Sequence, residues 1–197
     1  MSALETFSAD RYFLRKKVMK LVGGAFHLRD ANDNLVAFCE QKAFKLKEDV
    51  RVFADEGKTR ELLSIQARKI IDWSAAYDVT DSVSGEKVGA VRRKGGKSIL
   101  RDEWRFLDAA DNEIATLVED SMVLALVRRM LTNLVPQRYD VFQPNAAGQK
   151  IAALDGNFNP FVYKLDIKLG LGAQGTLDRR LIIAAAMLLA AIEGKQQ

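Results

Sequence analysis

Five basic side chains, Arg92, Arg93, Lys94, Lys97 and Arg101, fall within ten positions around Gly95 and Gly96. Clustered Lys and Arg hold anions by charge and by several N–H donors at once, and near acidic lipids each contributes about 1 kcal/mol of attraction. The chemistry they suggest is recognition of a phosphate or of an anionic lipid headgroup. A solvated basic loop between two strands is the plainer reading of the same residues. Gly96, Lys97 and Ser98 imitate the end of a nucleotide-binding P-loop, but that motif requires a glycine where Val91 stands and a helix where Trp104 to Leu107 reads as strand. Nucleotide hydrolysis is therefore set aside.

Other candidate groups are thinner. Asp30, Asn32 and Asn34 copy the first ligands of a calcium-binding loop, yet Leu35 stands where that loop needs glycine and Gln41 where it needs glutamate. Turn chemistry accounts for them better. His27 and Cys39 are the chain's single histidine and single cysteine. They fall on the two strands of one hairpin, where a Cys–His nucleophile pair would need them to face each other. With no third orienting group they read as ordinary strand residues, and they are too few for a zinc site. No convergent acid, base and nucleophile set is present, so the expectation is no enzyme, no metal and no cofactor.

The elements that must position these residues repeat. Two apolar-rich runs flanking an Asp, Asn or Gly turn recur five times, with turns opening at Asp30, Asp55, Asp81, Asp108 and Pro144. Each is a β-hairpin signature. The intervals are 25, 26, 27 and 36 residues, and the long one holds Ser121 to Asn133. There a capping Asp120 or Ser121 and the later Pro136 bracket a short helix that covers a barrel mouth or lies on a membrane surface. An opening strand at Tyr12 to Val18 and a closing strand at Phe161 to Ile167 bring the total to about twelve. In the closing strand Phe161, Tyr163, Leu165 and Ile167 alternate with Val162, Lys164, Asp166 and Lys168, giving one dry and one wet face.

A long antiparallel sheet with one apolar face curls and closes. Twelve strands spaced about 4.8 Å apart and tilted roughly 40° make a barrel of radius about 12 Å, wide enough for one helix and one layer of inward side chains. The chain supplies that helix at about residues 177–193, where Leu181 to Ile192 is apolar on every face and must be enclosed. At 12 residues the run is shorter than the about 20 needed to span a bilayer. Ala184, Ala185, Ala186, Ala190 and Ala191 admit close approach of strands, while Leu181, Ile183, Met187, Leu188 and Ile192 fill the gaps. Gly170, Gly172 and Gly175 form the loop that turns the chain inward. The expected fold is mainly β: a closed antiparallel barrel of about twelve strands enclosing an apolar C-terminal helix, with one extra short helix, in one domain over residues 1–197.

Composition agrees. With 48% hydrophobic and 28% charged residues, a net charge of +4 and one cysteine, the chain reads as globular, without disulfides, and mildly disposed toward anionic surfaces. No signal peptide is read at the start, and a cytoplasmic protein, peripheral at the membrane, is expected.

A twelve-stranded barrel threaded by an apolar C-terminal helix resembles the superfamily of tubby-like C-terminal domains, LURP-one-related proteins and phospholipid scramblases. The residues carrying the likeness are Val91 to Ala109, similar to a basic hairpin and strand of the LURP-one-related and scramblase-like groups, and Leu165 to Lys168, similar to scramblases. The resemblance implies binding of anionic phospholipid or phosphoinositide through basic residues on the barrel exterior. It also brings to mind the acidic, calcium-binding segment of scramblases, but Asp155, Asn157 and Asn159 supply too few carboxylates before Asp166. The readings rank as a non-enzymatic lipid-binding module, then a protein-interaction scaffold, then a nucleic-acid binder, then an enzyme. Nucleic acid ranks low because no aromatic residues are interleaved with the basic cluster.

Overall fold

The computed structural model describes residues 2–17, 24–41, 49–68, 76–94, 103–120, 138–144, 148–157, 163–171 and 177–193. A four-residue helix, α1 (Ala3–Thr6), opens the chain. It is held by a capping box in which the Ser2 hydroxyl accepts from the Glu5 amide and the Glu5 carboxylate accepts from the Ser2 amide. Twelve strands follow: β1 (Arg11–Lys17), β2 (Gly24–Asp30), β3 (Leu35–Gln41), β4 (Asp49–Phe53), β5 (Glu61–Ala67), β6 (Ala76–Asp81), β7 (Lys87–Arg93), β8 (Glu103–Leu107), β9 (Glu113–Glu119), β10 (Arg138–Phe142), β11 (Lys150–Gly156) and β12 (Lys164–Leu169). The helix α2 (Arg179–Glu193) ends the described chain. Each strand pairs antiparallel with its neighbours, and β1 pairs with β12 to close the barrel.

All five expected hairpins form. β1 and β12 begin and end a few residues from their expected bounds. The expected helix over residues 121–133 lies outside the described residues. The hairpins share one local solution. In every one the register slips by a residue beside the turn, between Leu28 and Arg29, Val52 and Phe53, Val79 and Thr80, Phe106 and Leu107, and Val141 and Phe142. A left-handed residue then closes the turn: Asp33 at φ 63°, Lys58 at 57°, Gly85 at 75°, Asp111 at 68° and Gly148 at 77°. Such bulges at a rim sharpen the twist by which a sheet closes on itself. Gly89 is required for a second reason, since at φ 152° a Cβ there would stand 2.2 Å from the carbonyl oxygen of Leu107.

The helix fills the lumen. Every residue of α2 from Arg180 to Ala191 is buried, on all faces, against β5, β6, β7, β12 and α1. Facing it are Tyr12, Leu14, Phe26, Leu28, Val79, Phe106 and Leu117, all fully buried. The helix enters at the hairpin-tip rim, where Asp178 caps it by accepting from the Arg180 amide at 2.8 Å. Two arginines at a helix N-terminus oppose its dipole, and both are neutralised. Arg179 donates to Asp10 and to the carbonyls of Ser8 and Ala9. Arg180, 7% exposed, bonds Asp81, Glu86 and Asp178 at 2.8, 2.8 and 2.7 Å. The Asp81 side chain is 1% exposed. Burial alone would raise its carboxyl pKa, but Arg180 and the amides of Ser84 and Val83 outweigh burial and hold it below the usual carboxylate range.

Two outcomes follow. Met187→Asp places a charge within the packed lumen and should cost about 4 kcal/mol or more, lowering the thermal midpoint by roughly 10 °C. A variant melting like the parent would show that the helix is not enclosed. The depressed carboxyl of Asp81 contributes stability above its unfolded value near about 4, and that contribution is lost as pH falls through the lower folded value. Thermal midpoints should therefore be level at neutral pH and fall below about pH 4. Asp81→Asn should be less stable at pH 7 and show a shallower acid decline.

Candidate anion-binding surface

Strands β7 and β8 place the basic residues singled out by sequence. Residues opposite one another on paired strands share a face. Arg93 lies opposite the buried Trp104, so it turns to the luminal side, where its guanidinium stands 5.7 Å from the Trp104 ring. The indole Nε1 is buried and has no hydrogen-bond partner among the described residues. Arg92 lies opposite Ala76 and Arg105 on the outer face. Lys94, exposed, donates to both carboxylate oxygens of Glu103 at 3.0 and 2.9 Å. Arg105 is held by Glu113 at 2.6 Å. Lys97 and Arg101 lie outside the described residues. The expected cluster is thus divided by the period of the strand, with Arg92 outside and Arg93 within the rim. An exposed pair such as Lys94–Glu103 contributes about 0–1 kcal/mol, so Lys94 can exchange its carboxylate for another anion at little cost.

Sequence reading did not single out two further cations. Arg15, near the end of β1, and Lys164, at the start of β12, are directly opposite each other in register. Arg15, Lys164, Arg92 and Arg138 have no ion-pair partner among the described residues, whereas Arg11, Arg51, Arg68, Lys87 and Lys168 each bond carboxylates. The signal for Arg15 was present as the run Arg15, Lys16, Lys17. For Lys164 only the strand pairing discloses it.

The remaining candidates resolve as structure. Asp30 accepts from the amides of Asn32 and Asn34 and from the Asn34 side chain, each at 2.9 Å, which holds its carboxyl below the ordinary value. Asp108 repeats the pattern with Ala110 and Asn112. No group of metal-ligating side chains assembles among the described residues. Asp155 is held by Lys168 and Asp166 by Arg11, at 2.8 and 2.7 Å. His27 and Cys39 are not opposed: His27 faces Phe38, and Cys39 faces Phe26 one position along, on the other side of the sheet. His27 bonds Glu56 at 2.7 Å, while Cys39 is buried in the core.

A twelve-stranded antiparallel barrel closed around a buried C-terminal helix is the architecture of the tubby-like and scramblase superfamily. Within it the chain belongs to the LURP-one-related family, whose description matches residues 38–190. No curated protein and no solved structure matches the chain. No described helix is long and apolar enough to cross a membrane.

Burial, with the charge of Glu40 adding to it, pushes the Cys39 thiol up to about 12. At pH 8 only about one thiol in ten thousand would be ionised. Native protein should therefore resist a maleimide at pH 8 and take up one equivalent on denaturation. Rapid labelling of native protein would place Cys39 outside the core.

Proposed function

We propose that this protein is a non-enzymatic module that binds anionic membrane surfaces, with Arg92, Arg93, Lys94, Lys97 and Arg101 meeting lipid headgroups. The observation that supports it best is the pairing pattern of the basic residues. Most described cations are matched to carboxylates, while Arg92, opposite Arg105, has no ion-pair partner among the described residues. Membership of the LURP-one-related family, in a superfamily with lipid-binding relatives, supports the same reading. The surface binds through charge, so attraction falls as salt shortens the Debye length. A peripheral, cytoplasmic location is part of the proposal. A scaffold that binds protein alone is the alternative, and it would show no preference among lipids.

Co-sedimentation with vesicles of neutral and of acidic phospholipid, at low and high salt, tests this. The parent should bind only acidic vesicles, bind less at high salt, and lose about tenfold or more when Arg92, Arg93 and Lys94 are replaced by Ala. No binding to acidic vesicles at low salt would sink the lipid reading and leave the scaffold.

A further inference from the structure

Side chains on the outer face of an antiparallel barrel ordinarily meet water. Strands β2 and β3 depart from that at two neighbouring positions. Phe26 and Leu28 point into the lumen, as do Ala37 and Cys39, and all four are buried. His27 and Phe38 alternate with them and lie opposite each other, so both face outward. Yet the His27 side chain is 7% exposed and Phe38 6%, with their rings 5.3 Å apart, while Arg15, opposite His27 on β1, is exposed. The β4–β5 turn, residues 54–60, reaches across this spot. His27 Nε2 donates to the Glu56 carboxylate at 2.7 Å, and Lys58 bonds Glu40, two positions beyond Phe38 on the same outer face of β3.

The turn is braced to hold this shape. The Ala54 amide donates to the Arg60 carbonyl at 2.9 Å and the Lys58 amide to the Asp55 carbonyl at 3.1 Å. The Asp55 carboxylate accepts from both the amide and the hydroxyl of Thr59. The bonds that the turn sends outward cross one particular line of the wall. The turn belongs to β4 and β5, whereas Glu40 lies on β3 and His27 on β2, so both bonds bridge the β3–β4 seam. Among the described residues that seam is matched at two positions, Phe38 with Phe53 and Cys39 with Val52. The other eleven seams of the barrel are matched at four to six. A wall parts most readily where the fewest backbone bonds cross it.

We propose that the turn at 54–60 is a strap that closes the β3–β4 seam from outside, and that this seam is the line along which the barrel opens locally. The inference is independent of the lipid reading. Elsewhere the backbone ladder holds neighbouring strands together; here Glu56 with His27 and Lys58 with Glu40 take over part of that task. The Glu56 side chain is 54% exposed and that of Glu40 43%, so both bonds lie within reach of water and salt. On the inner side of the same seam Cys39, 1% exposed, stands opposite Val52. Release of Glu56 on the outer surface is thereby coupled to the access of a luminal thiol.

Cys39 is the reporter, being the chain's single cysteine. The experiment is the rate at which a maleimide labels the full chain at low concentrations of urea, for the parent and for Glu56→Ala. The parent should label slowly, with a urea dependence shallower than that of global unfolding, because opening one seam exposes less surface. Glu56→Ala should label about tenfold faster, since closing the seam then leaves His27 buried without its acceptor. Its thermal midpoint should stay close to the parent's, because the side chain removed is an exposed one. A second reporter, Ala152→Cys in a Cys39→Ala background, is buried between the β10–β11 and β11–β12 seams, each matched at five positions. Glu56→Ala should leave its labelling unchanged. Equal labelling of Cys39 in parent and Glu56→Ala overturns the strap. Equal acceleration at both reporters shows a general loosening and overturns the seam, and a parental urea slope as steep as global unfolding overturns local opening.

Discussion

A closed barrel about 24 Å across cannot be left empty, and what fills it governs the rest of this structure. The strands contribute one layer of inward side chains, among them Tyr12, Leu14, Phe26, Val79, Phe106 and Leu117, and α2 supplies the remaining volume. The helix therefore has no wet face, and its alanines are as necessary as its leucines. Ala184, Ala185 and Ala186 let the backbone approach the wall, whereas larger residues there would force strands apart. The plug follows the last strand, so the whole wall, β1 to β12, precedes its filling in the sequence.

Entry of that plug brings polar groups indoors. Arg180 and Asp81 are buried at the rim, where each charge is tolerable because it is paired, and Asp178 and the exposed Glu86 complete the group. The group fixes where the helix starts along the barrel axis, tying it to the turn between β6 and β7. Arg179 ties the same end to Asp10, ahead of β1. The helix is thus clamped at the hairpin-tip rim by ion pairs and held along its length by packing.

Charge follows the same division of ends. The tips are built from Asp, Asn and Gly because tight turns with a left-handed residue favour them, and this turn chemistry makes that rim acidic as a by-product. Arg15 lies directly opposite Lys164 and Arg92 opposite Arg105, and among the described residues Arg105 is the one of the four with an ion-pair partner.

Much of this architecture is legible in the sequence because it is local. Each hairpin is encoded by alternation and a turn of four to seven residues, and the repeat of these units reveals a meander. The helix betrays its burial by having no polar face. The cap of α1 was equally readable, in Ser2 and Glu5, but a four-residue element gives no periodicity to notice. What the sequence withholds is non-local. The face of a side chain depends on register, and a one-residue bulge beside each turn resets the alternation that sequence reading must assume. The basic run from Arg92 to Lys94 looks continuous in sequence, yet the strand sends Arg93 onto Trp104 inside the rim and Arg92 outward. Arg15 and Lys164 are 149 residues apart in sequence and become neighbours only because the first strand closes on the last. The sequence by itself determined the elements and the apolar plug, since those depend on neighbours along the chain. The pairing of charges, and with it the candidate face, was decided by barrel closure, which joins residues that no local pattern connects.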